Sequence, residues 1–149
     1  MQLTFIKWAI LLLSLILFGC DQPQLHPIKV GKSDALVEIA ANYESRSIGL
    51  MHREALLENS GMLFIFPQDQ VLKMWMLNVS IPLDVGFFDR QGRLINVHTM
   101  AVDGGETIHQ SEAPARYALE MRAGWYARNN LNSGALLQIP KVLQDIAVE

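Results

Sequence analysis

The stretch "PLDVGFFDRQGRLINV", residues 82–97, decides the fold. Side chains in its first half alternate across a strand, which puts Leu83, Val85 and Phe87 on one face and Asp84 on the other. The turn residues "DRQG" follow, and a second apolar segment comes after them. Two alternating segments joined by such a turn predict an antiparallel β-hairpin.

Similar short apolar segments occupy much of the remaining chain and are separated by turn residues. They are "ALVEIAA", "MLFIF", "VLKMWML", "RYALEMRAG" and "ALLQIP". One segment with helical spacing, "NYESRSIGLMHREALLE", begins at a candidate N-cap, Asn42. The set of about seven strands with one short helix predicts a mainly β fold, a compact antiparallel β-sandwich or barrel.

The first 19 residues have the pattern of a secretory signal peptide, with Lys7 ahead of a short apolar segment. That segment is shorter than the about 20 residues that a membrane-spanning helix needs. It ends in "LFGC", which resembles the lipobox of bacterial lipoproteins, and Cys20 is the only cysteine, so no internal disulfide forms. Asp21 resembles the signal that retains lipoproteins in the inner membrane. We expect an exported protein, lipid-anchored through Cys20 on the periplasmic face of the inner membrane.

The rest of the chain divides into two parts. Residues 20–34 are polar with two prolines, which predicts a lipidated N-terminus and tether. Residues 35–149 are long enough for a single β-rich domain with its own core. The net charge is −3 and no basic run occurs, which argues against nucleic acid as a partner.

The methionine-rich composition raises the question of a metal. Met74 and Met76 are two apart and would share one face of a strand, so a Cu(I) site is one alternative. The histidines His52, His98 and His109 stand at no recognised metal spacing, and no Cys/His cluster suggests zinc. Methionines also fill irregular gaps in cores. We therefore expect packing here, with no metal and no cofactor.

Two carboxylates stand among apolar neighbours, Asp84 and Glu120. A buried carboxylate is costly unless it is paired or hydrogen-bonded, and Arg46 and Arg53 are candidate counter-charges. Two carboxylates at one site would permit acid–base catalysis, which defines a hydrolase or isomerase alternative. The same residues equally suit a structural ion pair or a polar ligand site. The sequence contains neither a nucleophile elbow nor a phosphate-binding glycine loop.

Four longer segments carry a family resemblance: "RSIGLMHR", "GMLFIF", "MWMLNVSIPLDVGFFDRQGRLINV" and "YALEMRAGWYARNNLNSG". In order and spacing they resemble the domain of unknown function family DUF 192, over about Val37 to Ile139. The resemblance implies a compact, mainly antiparallel β-domain without a settled activity. A lysine and an aspartate of the family pattern are Leu77 and Ala135 here, which puts a charged site at those positions in doubt.

These observations lead to one expected site, formed by Arg46, Arg53, Trp75, Asn78, Asp84 and Glu120. The two arginines would hold an anionic group, and Trp75 would give a stacking wall. Asn78 would orient a ligand or lock its strand through side-chain hydrogen bonds. We expect a membrane-anchored periplasmic domain that binds a small polar or anionic ligand or a partner protein, rather than an enzyme.

Overall fold

The computed structural model describes residues 23–144 and 146–149, so the predicted signal peptide and Cys20 lie outside the described residues. No helix in the described ranges is both long and apolar enough to cross a membrane. The strands are β1 His26–Val30, β2 Ser33–Ala40, β3 Ser60–Gln70, β4 Lys73–Met74, β5 Leu83–Phe88, β6 Leu94–Met100, β7 His109–Gln110, β8 Ala115–Arg122 and β9 Leu137–Gln138. The helices are α1 Tyr43–Ile48, α2 Trp125–Arg128 and α3 Lys141–Gln144.

Seven strands form one curled sheet in the order β6-β5-β8-β3-β2-β1-β9, and β4 pairs with β7 in a separate ribbon. The predicted mainly β fold is confirmed. One pairing differs from the antiparallel prediction, because β2 and β3 run parallel. The connection through α1 carries the chain back to the starting edge, as a parallel pair requires. Helices α2 and α3 are too short to leave a helical period in the sequence.

The hairpin predicted from "PLDVGFFDRQGRLINV" is present as β5 and β6. Its turn is closed by Asp89, whose carboxylate accepts a hydrogen bond from the Arg93 amide at 2.8 Å. Gly92 takes the left-handed backbone conformation there, with φ +78°, which glycine adopts without a steric cost. All six residues of β5 are buried, as expected for a strand covered on both faces.

Helix α1 begins where the sequence predicts. The Asn42 side chain accepts a hydrogen bond from the Ser45 amide at 2.8 Å, and the Ser45 hydroxyl accepts one from the Asn42 amide at 3.2 Å. This reciprocal pair is a capping arrangement that satisfies two otherwise unpaired helix donors. Gly49 ends the helix with φ +50°. The short helix therefore lies directly after β2, at one end of the sheet.

The predicted tether differs from the structure. Strand β1 lies within residues 20–34 and pairs with β2 across a two-residue turn, so the folded domain begins before Ala35. Pro27 concealed this strand, because proline lacks the N–H that a central strand uses. The partner strand β9 pairs only with Lys29 and Val30, and so Pro27 lies beyond that ladder.

The large sheet has an apolar cluster on each face. The tryptophan face carries a cluster that includes Leu63, Phe88, Leu119, Met121, Trp125 and Tyr126. The methionine face carries a cluster that includes Met62, Phe64, Met76, Val85, Phe87 and Met100. Because side chains alternate along each strand, neighbouring residues of β5 and β8 contribute to opposite clusters. This alternation decides where the two carboxylates lie.

Candidate functional site

Asp84 lies on the tryptophan face. Its register partners are Thr99 on β6 and Met121 on β8, and the side chain of Met121 belongs to that cluster. One carboxylate oxygen accepts a hydrogen bond from the Thr99 hydroxyl and the other from the Gly124 amide, both at 2.8 Å. Burial, and then the Asp84 charge, raises the pKa of the Tyr126 hydroxyl. Asp84 therefore ties β6 and the start of α2 to the sheet.

Glu120 lies on the methionine face, since its register partners are Met62 on β3 and Val85 on β5. Its residue surface is only 4% exposed. No hydrogen bond or ion pair reaches its carboxyl group from residues 23–144 or 146–149. Burial raises the pKa of Glu120 to about 8, because an apolar environment disfavours the charged form. At neutral pH this side chain is therefore largely a neutral carboxylic acid.

The register separates the two carboxylates. Asp84 and Glu120 lie on adjacent strands but project from opposite faces of the sheet. A substrate bound to one face cannot contact both groups. The geometry gives no support to the hydrolase or isomerase alternative, which needs both carboxylates in one cleft.

A cavity of about 630 Å³ lies over Glu120 on the methionine face. Its walls come from α1, the β3 strand and the segment around β4; they include Leu50, Met51, Phe64, Phe66, Met74, Trp75, Leu77 and Val79. Trp75 is 46% exposed and stands at the mouth with the exposed Lys73. Glu120 is buried in the sheet and forms part of the floor. A mostly apolar cavity with a few polar groups is the usual form of a small-molecule site.

Arg46 borders the cavity but its guanidinium is engaged elsewhere. It donates hydrogen bonds to the carbonyls of Ala41 at 2.7 Å and Ile65 at 3.0 Å, and to a main-chain oxygen of Glu149. The group also lies 5.2 Å from the centre of the Phe66 ring. Burial lowers the pKa of Arg46. These contacts make Arg46 a brace between β2, β3 and the C-terminal segment.

Arg53 and Asn78 do not line the cavity. Arg53 forms an ion pair with Glu38 at 2.6 Å. Asn78 is in a turn with φ +54°, where its carbonyl accepts a hydrogen bond from the His52 amide at 2.9 Å. Asparagine tolerates this left-handed conformation better than most residues. The predicted six-residue site therefore divides: Trp75, Glu120 and Arg46 border one cavity, and the other three serve local structure.

Sequence reasoning missed most of the cavity wall. Leu50, Met51, Phe64 and Phe66 carry no chemical signal in the sequence, because an apolar residue in a cavity wall has the same pattern as one in a core. The "GLM" motif after α1 was a usable clue. Gly49 lies close to the Phe64 ring, with an added Cβ at 3.1 Å, and this closeness brings the turn against the sheet beside Glu120.

A second cavity, of about 470 Å³, lies on the tryptophan face beside the turn after β5. Its charged residues already have partners on the surface: Arg116 contacts Asp69 at 2.7 Å and Arg90 contacts the same carboxylate at 4.0 Å. Among the described residues its lining includes no acidic side chain that would select a ligand. The cavity over Glu120 is the stronger candidate.

The methionines divide between core and cavity. Met76 is fully buried in the methionine-face cluster, whereas Met74 is half-buried and borders the cavity. In the part of the chain that the structure describes, no three His, Cys, Asp or Glu side chains converge as a metal site. The predicted pairing of Met74 with Met76 as joint ligands gains no support from this arrangement.

Fold and cavity together define a β-domain with a curled sheet and a small, mostly apolar enclosure. The DUF192 family model, described as an uncharacterized ACR, matches residues 27–139. The chain belongs to the DUF192 family. The match begins at β1, in agreement with a folded domain that starts within the predicted tether.

Solved structures share the fold. A protein from Sinorhizobium meliloti, described as a candidate transcription regulator, is 32% identical with a TM-score of 0.73; the alignment covers 76% of this chain and 92% of that one. A protein of unknown function from Novosphingobium aromaticivorans is 27% identical with a TM-score of 0.73, covering 81% and 89%. No curated protein matches the chain.

Proposed function

We propose that this protein is a lipid-anchored binding domain and that the cavity over Glu120 holds a small ligand. The observation that carries the proposal is the Glu120 carboxyl group, buried in an apolar cavity with no partner in the described ranges. The carboxyl oxygens are not among the fully buried, unpaired atoms of the described residues, so they are accessible from the cavity. A ligand that bonds to them gains a hydrogen bond worth about 0.5–1.5 kcal/mol.

The cavity sets the chemistry of the ligand. Its volume, about 630 Å³, suits a small molecule with an apolar body packed between Phe64, Phe66 and Trp75. A protonated Glu120 both donates and accepts a hydrogen bond, and so it matches an uncharged polar group such as an amide, an ester or a hydroxyl. The arginines are engaged with carbonyls and with Glu38, which argues against the anionic ligand expected from the sequence.

The experiment uses protein labelled at its methionine methyl groups and titrated at pH 7 with N-benzylacetamide, a neutral amide with one aromatic ring. The methyl resonances of Met51 and Met74 should shift, because both residues border the cavity. Met121 lies on the opposite face and serves as an internal control. Benzylamine and phenylacetate test the charged alternatives in parallel.

Matched variants assign the interaction to the carboxyl group. Glu120→Gln keeps a donor and an acceptor, so it should bind the amide at pH 7 and at pH 9. Binding of the amide by the wild-type protein should weaken at pH 9, because Glu120 ionises. Glu120→Leu should bind at least about tenfold more weakly, since about 1.4 kcal/mol corresponds to that factor. Equal binding by Glu120→Leu, or tighter binding of either charged probe, would contradict the proposal.

The anchor is a separate part of the proposal. It rests on "LFGC" at Cys20 and on the signal-like segment before it. Two acyl chains on Cys20 would give stable membrane attachment, because each buried CH₂ contributes about 0.8 kcal/mol. Cells fed an alkyne-labelled fatty acid should yield labelled wild-type protein in the inner-membrane fraction. Cys20→Ala should abolish the label; an unlabelled wild-type protein would refute the anchor.

Two other functions are less well supported. The description of the Sinorhizobium protein suggests gene regulation, but this chain has a net charge of −3 and no basic run. Nucleic-acid binding normally relies on clustered positive charge. A partner protein remains a second candidate, because the exposed Tyr43, Ile48, Trp75 and Leu77 surround the cavity mouth. A partner would bury these four, and cross-linking in native membranes would detect it.

A further inference from the structure

Two histidines far apart in the sequence meet between the large sheet and the β4–β7 ribbon. His98 lies on β6 opposite Val85, whose side chain belongs to the methionine-face cluster. His109 lies on β7, and the two imidazole rings are 5.4 Å apart between centroids with their planes at 54°. Metal–nitrogen bonds are about 2.0–2.1 Å long, so ring centres bound to one ion lie roughly 5–6 Å apart. The observed separation suits two ligands of a shared ion.

One ring nitrogen of His109 is a candidate metal ligand. Its Nε2 atom is buried and has no hydrogen-bond partner among the described residues. An imidazole nitrogen that is buried and unpartnered can offer its lone pair to a metal ion.

His98 is oriented by its surroundings. Its Nε2 atom lies 3.1 Å from both the Gln110 carbonyl oxygen and the Asn96 amide nitrogen. The Asn96 amide donates to the same carbonyl at 3.2 Å, so a His98 tautomer with its proton on Nε2 can also donate there. The Asn96 amide is fixed alongside, because its oxygen accepts from the Glu112 amide at 3.1 Å. In that tautomer the lone pair of His98 lies on Nδ1, and this is the form that would bind a metal ion. Metal-binding histidines characteristically donate their second ring N–H to a carbonyl or carboxylate, which fixes the tautomer.

The candidate third donor is the thioether of Met74. Met74 is the register partner of His109 in the β4–β7 ribbon. Directly opposite residues of an antiparallel pair have Cβ atoms about 4.5–5.5 Å apart and project from the same side. Met74 packs toward the methionine-face cluster, which is the side on which His98 lies. Two imidazoles and a thioether form a soft ligand set without carboxylate, which suits Cu(I).

We propose that His98, His109 and Met74 form a Cu(I) site between the large sheet and the ribbon. This site differs from the methionine pair suggested by the sequence, because Met76 is core and the histidines supply two of the three ligands. The 11-residue separation of His98 and His109 hides the pair from any spacing rule. Met74 also borders the cavity over Glu120, so the two proposed sites share this residue.

The test is a Cu(I) titration of the purified full-length protein under reducing conditions, against a competing chromogenic chelator. Every variant carries Cys20→Ser, since a free thiol would itself bind Cu(I). We expect one Cu(I) per chain. His109→Ala and Met74→Leu should each weaken binding at least tenfold, whereas His26→Gln and Met121→Leu should not change it. X-ray absorption of the copper-loaded protein should show nitrogen and sulfur ligands together.

The following results would contradict the proposed Cu(I) site. Absence of a 1:1 complex overturns the site, as does an affinity that neither His109→Ala nor Met74→Leu changes. An absorption spectrum with nitrogen or oxygen ligands only also overturns it, because Met74 would then not bind. Stoichiometric Zn²⁺ binding without Cu(I) binding refutes the soft-metal assignment. Thermal unfolding of each variant identifies losses due to misfolding, and the wild-type spectrum remains decisive in that case.

Discussion

Asp84 and Glu120 are both buried carboxyl groups on neighbouring strands of one sheet, and their surroundings differ completely. Asp84 accepts two hydrogen bonds, from the Thr99 hydroxyl and the Gly124 amide. Glu120 receives none from the described residues and faces a cavity of about 630 Å³. A fully satisfied buried acid stabilises the fold, whereas an unsatisfied one at a cavity wall is the kind of group that a ligand completes. We therefore assign a structural role to Asp84 on the tryptophan face and a binding role to Glu120 on the methionine face.

The largest expected effect comes from Asp84→Ala. The change leaves the Gly124 amide and the Thr99 hydroxyl without their acceptor, and hydrogen bonds to charged groups contribute about 1.5–3 kcal/mol each. We expect the free energy of unfolding in urea to fall by roughly 3–5 kcal/mol. Asp84→Asn keeps the shape and one acceptor oxygen, so its loss should be smaller. If Asp84→Ala lowered the free energy of unfolding by less than about 0.5 kcal/mol, Asp84 would not have the structural role proposed for it.

Glu120 should instead give a pH-dependent stability. Its pKa is about 8 in the folded chain against an ordinary value of 4.5, so between these values the folded state holds a proton that the unfolded state releases. The contribution of Glu120 to the free energy of unfolding is therefore fully present below pH 4.5 and is lost as the pH rises to about 8. Glu120→Gln is neutral throughout. We expect the free energy of unfolding in urea of Glu120→Gln, relative to wild type, to be higher at pH 9 than at pH 5. The difference should be a few kcal/mol, because each pKa unit corresponds to about 1.4 kcal/mol. A difference in unfolding free energy that is the same at both pH values would show that the pKa of Glu120 is not raised by folding.

Gly86→Ala tests whether the two faces act separately. The added Cβ would overlap the Tyr126 hydroxyl oxygen, on the tryptophan face. Overpacking of this kind costs about 1–3 kcal/mol. We expect a lower melting temperature with unchanged N-benzylacetamide binding by the folded protein. Lost binding in a folded variant would mean that the faces are coupled.

The smallest effect should come from Arg53→Ala. Its ion pair with Glu38 is partly exposed, and such pairs contribute less than about 1 kcal/mol. Arg46→Ala should cost more, because three main-chain oxygens lose a charged donor. Urea unfolding at low and high salt would check both, since salt screens the Arg53 pair more effectively. Equal losses of unfolding free energy in the two variants would contradict the different roles assigned to Arg46 and Arg53.

Local rules made several parts of the fold predictable. The β5 alternation and the Asn42 cap depend on neighbouring residues, and both are present. The parallel β2–β3 pair and the strand at Pro27 depend on distant partners, so local pattern did not reveal them. The sequence identified Asp84 and Glu120 as two similar buried acids. Only the β5–β8 register shows that they face opposite sides, because a shift of one residue would exchange their environments.

The most direct measurement is a carbon-detected NMR titration of the Glu120 side-chain carboxyl group, assigned with Glu120→Gln. We expect a midpoint near pH 8, because the group is buried under the cavity without a partner among the described residues. A saturating neutral amide should move the midpoint upward, since the ligand bonds to the protonated form. A midpoint near the ordinary value of 4.5, unchanged by the amide, would contradict the claim that Glu120 is the neutral acid of a binding site.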